Sequence, residues 1–372
     1  MNYKQRKYIN GEDKILFEIR VPREMSRSPV AMEIFLNNLY QTSVGNLLDV
    51  YGKGRIRSWF SLELVSIGGA VHFYIWSHAK FKSVIESQLY SQFPNVEVHE
   101  VSDYALEVMH DPAKLNFGWI GQFALTKADA YPIKTYIDYE LDKDPKEEFK
   151  NDPLSSVLEY LGSLTQGEQA WIQILIQGHA KEGLKHGRVF VRPDWKKASE
   201  KEIADIRKKA APMVEGTDVS KFTILSKGQQ DVISAIERSI SKYAFDTMIR
   251  ATYFAENDVF DASKIGGLTG SFRQFSSNTL NGFKTGFAAK YDYPWQDFRG
   301  SKRMSNERNL LEAYKRRSFF NPPFKNFHGK SFVLTTEELA TLFHFPSSIV
   351  AATPTLSRIP SKKAEAPANL PI

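Results

Sequence analysis

The residues best suited to chemistry in this 372-residue chain are cations, and seven of them crowd into one short stretch. Arg299, Lys302, Arg303, Arg308, Lys315, Arg316 and Arg317 are offset only by Asp297, Glu307 and Glu312, and Tyr314, Phe319 and Phe320 lie among them. Basic side chains neutralise phosphates and aromatic rings stack on bases, so this pattern predicts contact with nucleic acid or an acidic partner. A helix whose arginines merely cover its own apolar face gives the same composition.

Other constellations fail on spacing. GGLTGS (266–271) lacks the Gly-Lys-Ser/Thr ending of a phosphate loop. His328-Gly329-Lys330-Ser331 has that ending, but Phe324 stands where the earlier glycine is required, and a strand follows instead of a helix. His72, His78, His99, His110, His179, His186, His328 and His344 show no zinc-ligand spacing, and no metal or cofactor is expected. There is no GxSxG, and the pairs Glu97/Glu100 and Asp138/Glu140 read as exposed strand charges, so no catalytic residue is assigned. The absence of cysteine excludes thiolate chemistry, disulfides and Fe-S clusters and fits an intracellular compartment.

The elements that must position the basic stretch follow from periodicity. KILFEIRV alternates as a strand. Ser28-Pro29 then opens a helix carrying Val30, Ile34 and Phe35; residues 55–67 and 70–77 form a hairpin across Gly68-Gly69. A helix with Phe81, Val84, Ile85 and Leu89 and the strand NVEVHEV complete a βαββαβ order over 1–110. A second copy is read over 111–350, with strands GQFALT, PIKTYIDYEL, EQAWIQILIQG and KYAFDTMIRATYFAEN and helices in DPLSSVLEYLGSL and DASKIGGLTGSFRQFSS. The fold class expected is α+β, as tandem ferredoxin-like (split βαβ) modules. The second holds a charged helical insertion at 179–241, with the stripe Val232, Ile233, Ile236, Ile240, and a basic helix at 299–318. Near the end Thr335 and Glu338 have capping-box spacing, Leu339, Leu342 and Phe343 form a buried stripe, Pro346 stops the helix, and His344 meets its carbonyl end. Residues 351–372 read as a Pro/Ala-rich linker.

A net charge of +6, from 49 basic and 43 acidic residues, permits a polyanionic partner without requiring one. No signal peptide and no apolar run of membrane-spanning length are found, so a cytoplasmic protein, peripheral at most to the inner membrane face, is expected.

The segments MIRATYFAENDVFDASKIGGLTGSFRQFSSNTLNGFK, YKRRSFFNPPF and FVLTTEELATLFHFPSS with its TPTLSRIPSKKAEAPANLP tail carry a resemblance, as do EIRVPRE, SLELVSIGGAVHFYIWS, ESQLYSQFPNVEVHEV, YPIKTYIDYE and GEQAWIQILIQ. Together, from about 14 to 371, the chain resembles the region ahead of the motor domain in bacterial conjugation and type IV secretion ATPases of the FtsK/HerA superfamily. The resemblance implies a non-catalytic region serving ring assembly, docking or substrate gating. Its implied partners are a motor ATPase, encoded separately or as a further domain, DNA, a membrane-associated secretion complex, or copies of itself. In the family the linker leads into a RecA-like domain with Walker A and B motifs; these motifs are not in this sequence, so ATP hydrolysis is carried over to no residue here. A split gene and a freestanding adaptor both fit. The alternative is a stand-alone single-stranded nucleic-acid-binding protein, which requires aromatic and apolar positions such as Phe60, Phe73 and Ile75 to face solvent on adjacent strands.

Overall fold

Gly68 and Gly69 both have positive φ, +59° and +86°, as a two-residue hairpin turn of this hand demands, and they join β2 (Phe60–Ile67) to β3 (Ala70–His78). This hairpin lies within a nine-stranded antiparallel sheet in a computed structural model. The structure describes residues 2–22, 27–46, 48–143, 151–180, 194–210, 225–291, 293 and 295–346. His186 and the 351–372 linker lie outside them.

The first half runs β1 (Lys14–Arg20), α2 (Pro29–Asn38), β2, β3, α3 (Lys82–Gln92) and β4 (Glu97–Glu100), preceded by α1 (Asn2–Gly11). Ser28 caps α2 by accepting the Val30 N–H at 3.4 Å, with Pro29 at the first helical position. In the second half come β5 (Leu115–Leu125), α5 (Leu154–Gly162), β6 (Glu168–Gly178), β7 (Ala244–Glu256), α8 (Ser263–Ser271) and β8 (Phe283–Ala288). The pairing order is β4-β1-β3-β2 in one half and β8-β5-β7-β6 in the other, the same sequence of strands, and every pair is antiparallel. In each half the first strand is therefore parallel to the second, with the third inserted between them, the split βαβ connection. The halves meet at β2 and β6, antiparallel from Phe60↔Ile176 to Ile67↔Gln169, so an approximate two-fold axis pierces the sheet at this seam. They form one continuous sheet.

Both faces are covered. On one, Phe17, Phe60, Phe73, Ile75, Ile172, Ile174 and Ile249 are buried under α2, α3, α5, α8 and α10 (Thr336–Leu342). On the other, Trp76, Trp171, Leu175 and Phe254 are buried under α4 (Tyr104–Glu107) and α9 (Ser301–Lys315). Phe60, Phe73 and Ile75 thus do not face solvent, and the stacking platform required by the nucleic-acid alternative is absent at those positions.

Three expectations need correction. Residues 132–135 are irregular and 136–141 form turns, not a strand, because their backbone donors are used elsewhere: Ile133 N–H donates to Glu338 at 2.9 Å, Tyr136 N–H to Thr341 at 2.9 Å, and Thr135 N–H to Asp138 at 2.8 Å. β5 begins six residues before GQFALT. The last helix ends at Leu342, with Phe343 as C-cap, before Pro346 is reached. The capping box itself is formed, the Thr335 hydroxyl facing Glu338 N–H at 3.5 Å and the Glu338 carboxylate accepting Thr335 N–H at 2.8 Å. Thr335 closes β9 (Phe332–Thr335), which pairs with the start of β7. Within the 179–241 insertion, α6 (Trp195–Ala210) and α7 (Lys227–Ile240) pack through Ile203, Ile233 and Ile236.

Candidate functional site

Helix α9 carries the predicted basic stretch. Asp297 caps its start, its carboxylate accepting Lys302 N–H at 2.9 Å and Arg303 N–H at 2.8 Å. The inward face presents Leu310, Leu311, Ala313 and Tyr314 to the sheet. At the far end Arg317 N–H donates to Tyr314 O at 2.9 Å and Ser318 N–H to Ala313 O at 3.0 Å, a Schellman closure with Arg317 in the left-handed position at φ +46°. Glycine is usual there; an arginine is retained at a cost of about 1 kcal/mol because its side chain is needed behind the helix.

That need is the correction to the basic cluster. Arg317 is 0% exposed. Its guanidinium holds Glu63 bidentately at 3.0 Å and 3.0 Å, and it also donates to both oxygens of Asp103. Around Glu63 stand the Tyr104 hydroxyl at 2.8 Å, Ser61 at 2.6 Å and the Gln173 carboxamide at 2.8 Å; Gln173 in turn accepts from Arg250 at 2.6 Å. Glu63 and Gln173 are paired across β2 and β6, so this network sits at the seam between the halves. Burial would raise the Glu63 carboxyl, but the Arg317 charge overrides it and holds the group below the usual glutamate range. Burial pushes Arg250 down to about 9, still cationic at neutral pH. Arg317 has no surface to offer a ligand, and Tyr314 and Phe319, expected to stack on bases, are buried too.

Of the other six cations, five lie at the two ends of α9 and Arg308 lies at its middle. Lys302 and Lys315 are thirteen residues apart, about 20 Å along the axis at 1.5 Å per residue. At the N-terminal end Arg299 and Lys302 are exposed, as is Arg308 further along. Lys302 reaches back to Gln296 O at 2.9 Å, and Arg303 is engaged with Glu307 at 2.6 Å and Phe117 O at 3.1 Å. Beside them is a feature that periodicity could not signal, because it lies in a loop: Trp295 and Phe298 are 76% and 75% exposed. Tyr293 stacks on Trp295 at 4.6 Å, and the Arg299 guanidinium lies 5.4 Å from the Phe298 ring. The loop signal was YDYPWQDFRG, aromatic where a solvated turn is normally polar.

At the C-terminal end, Lys315 and Arg316 border a cleft of about 760 Å³ between α1, the start of β1, α4 and the 318–324 segment. Trp59 and Trp76 line it, 5.6 Å apart, and Trp59 donates its indole N–H to Arg317 O at 2.8 Å. Burial and the neighbouring Arg316 hold Lys14 below the ordinary lysine value. Neither end brings together a nucleophile, a base and an orienting group, and among the described residues no three His, Asp or Glu side chains converge as a metal site.

Among the other singled-out residues, His72 is hydrogen-bonded to Glu18 at 2.7 Å. His344 lies two residues beyond α10, contacting Ala340 O at 2.9 Å and Asp152 at 3.0 Å. Glu338 is a buried carboxyl pushed up to about 7, chiefly by desolvation. Its oxygens accept from Thr335 N–H, the Thr335 hydroxyl and Ile133 N–H, which commits it to holding α10 in place.

Fold and surfaces together define an α+β protein with one two-fold-related antiparallel sheet and a basic helix laid across it. The chain belongs to the family described as a domain of unknown function, DUF8128, whose profile matches residues 7–357. No curated protein matches it. Among the described residues no helix is long and apolar enough to cross a membrane.

Proposed function

We propose that this chain is a non-catalytic docking region for a DNA-transfer motor ATPase of the FtsK/HerA type, two ferredoxin-like halves fused into a rigid platform. The observation that carries this reading is the surface at the start of α9. On a sheet covered on both faces, Trp295 and Phe298 project into solvent beside Arg299 and Lys302. Exposed aromatics flanked by cations are what a protein interface needs at its centre: large apolar anchors with charges that steer and orient an acidic partner. The resemblance of segments spread from about 14 to 371 to the pre-motor region of these ATPases supplies the partner class.

The test is co-expression with a tagged FtsK/HerA-type motor. Co-purification of the wild-type chain, lost in R299E/K302E, supports docking through this surface. Equal recovery of both, or of neither, contradicts it. Parallel binding to single- and double-stranded DNA separates direct DNA contact from motor contact: binding carried by this surface weakens in R299E/K302E and shows a shallower salt dependence.

A further inference from the structure

The outward face of α1 and the single helical turn Leu48–Gly52 adjoin each other. Lys4 Nζ donates to Tyr51 O at 3.3 Å, and Gly54 packs so closely on α1 that a Cβ there would lie 2.6 Å from the Lys4 carbonyl oxygen. α1 turns Tyr8 and Ile9 toward the sheet, so the helical period puts Tyr3 and Lys7 on its outward line with Lys4 and Arg6 at the flanks. This surface lies at the end of α9 opposite the proposed docking surface, since Arg6 of α1 and Arg316 border the same cleft.

Two independent properties coincide on it. Tyr3 is 79% exposed, Leu48 77% and Tyr51 38%, so large apolar side chains project into solvent. Lys4, Arg6, Lys7 and Arg55 are exposed around them, and among the described residues none of these four has an ion pair. The neighbouring carboxylates are committed elsewhere: Asp49 holds Lys53 at 2.9 Å, Glu12 holds Lys80 at 2.8 Å, and Asp13 lies against Lys14. Four uncompensated cations draw a polyanion. Nucleic acid would answer those charges, but it gives the aliphatic Leu48 no apolar environment. A bilayer supplies both, with anionic headgroups at its surface and acyl chains just below, and tyrosine suits the boundary between them.

We infer that this surface seats the protein on an anionic lipid bilayer, with Leu48 and Tyr3 entering the headgroup layer and Lys4, Arg6, Lys7 and Arg55 meeting lipid phosphates. The inference rests on α1 and the 48–55 segment alone and stands whether or not α9 docks a motor.

Vesicle co-sedimentation of the full chain tests it, with vesicles of phosphatidylcholine alone and of phosphatidylcholine and phosphatidylglycerol mixed two to one. The expected result is saturable binding to the anionic vesicles, at least tenfold tighter than to the neutral ones. K4A/K7A should weaken it at least fivefold, whereas K208A/K209A, which removes the same charge from α6, should leave it within twofold of wild type. Y3S/L48S removes apolar surface without changing charge; it should weaken vesicle binding at least threefold and leave binding to a double-stranded oligonucleotide unchanged. All these side chains face solvent, so the variants should keep the wild-type circular dichroism spectrum. Motor capture by Y3S/L48S should stay at the wild-type level, which separates this surface from the one at the start of α9. No binding to anionic vesicles, equal binding to both kinds, equal weakening by the two lysine pairs, or vesicle binding undiminished in Y3S/L48S would overturn the inference. An oligonucleotide bound more tightly than the anionic vesicles and weakened by K4A/K7A would overturn it in favour of nucleic acid.

Discussion

Arg317 and Glu63, separated by 254 positions in the chain, close on each other through two 3.0 Å hydrogen bonds with neither side chain exposed to solvent. One comes from the end of α9 and the other from the strand at the seam between the halves, so this pair fastens the helix to the centre of the sheet. Breaking a buried ion pair from one side leaves the other charge unpaired, at about 3–5 kcal/mol. R317A and E63A are each expected to lower unfolding free energy by about that amount in urea titrations. R317G should fare no better, although glycine suits the φ of +46°, because the lost pairing outweighs the relieved strain. Stability in R317G equal to wild type would show that the pair does not secure α9.

Exposed residues separate docking from folding. W295A and F298A remove side chains that face solvent, so their unfolding free energies should stay within about 0.5 kcal/mol of wild type. Partner capture should nevertheless fall in both. A marked loss of stability would mean that these rings pack on something within the chain and are not interface anchors.

The α10 clasp makes stability depend on pH. Glu338 has its proton affinity raised from an ordinary 4.5 to about 7, so the folded state holds that proton more tightly and stability falls as pH rises across this range. His344 is raised above its ordinary 6.5, because Asp152 and the Ala340 carbonyl outweigh its burial. Its contribution is full below 6.5 and is lost as pH rises through the folded value. His78 acts oppositely, pushed down to about 4 by burial, and its contribution grows between 4 and 6.5. Above pH 6.5 the His78 contribution is complete, so the pH range that opens there isolates the clasp. The melting temperature should drop across it by a few degrees in the wild type, and H344N should flatten the drop. An unchanged slope in H344N would remove His344 from the account.

The β2–β3 hairpin gives a backbone test. Gly69 has φ +86°, and a Cβ there would collide with the Leu164 carbonyl just beyond α5. G69A should destabilise by more than about 1 kcal/mol, because strain and collision add. Tolerance of alanine would contradict the tight packing of the turn on that loop.

What could be read from the sequence was local. Ser28-Pro29, Gly68-Gly69 and the Thr335/Glu338 box each act within a few residues, and all three formed. The apolar residues of PIKTYIDYEL reported burial but not pairing: Ile133 and Tyr136, which a strand would place on opposite faces, are both buried, while their N–H groups serve α10 instead of a neighbouring strand. Seven cations within 299–317 showed charge but not partners. Glu63 and Asp103 are 254 and 214 positions from Arg317, and nothing local marked it as the buried member. The seam of β2 with β6 and the cleft lined by Trp59, Trp76 and Asn321 are likewise products of distant segments meeting.

Docking of a motor ATPase at the surface proposed for it, the start of α9, is read by sedimentation velocity. Titrating the chain with a purified FtsK/HerA-type motor should give a saturable complex with the wild type, and a dissociation constant at least tenfold weaker for R299E/K302E with W295A. The same affinity for both proteins, or no complex with either, would contradict it.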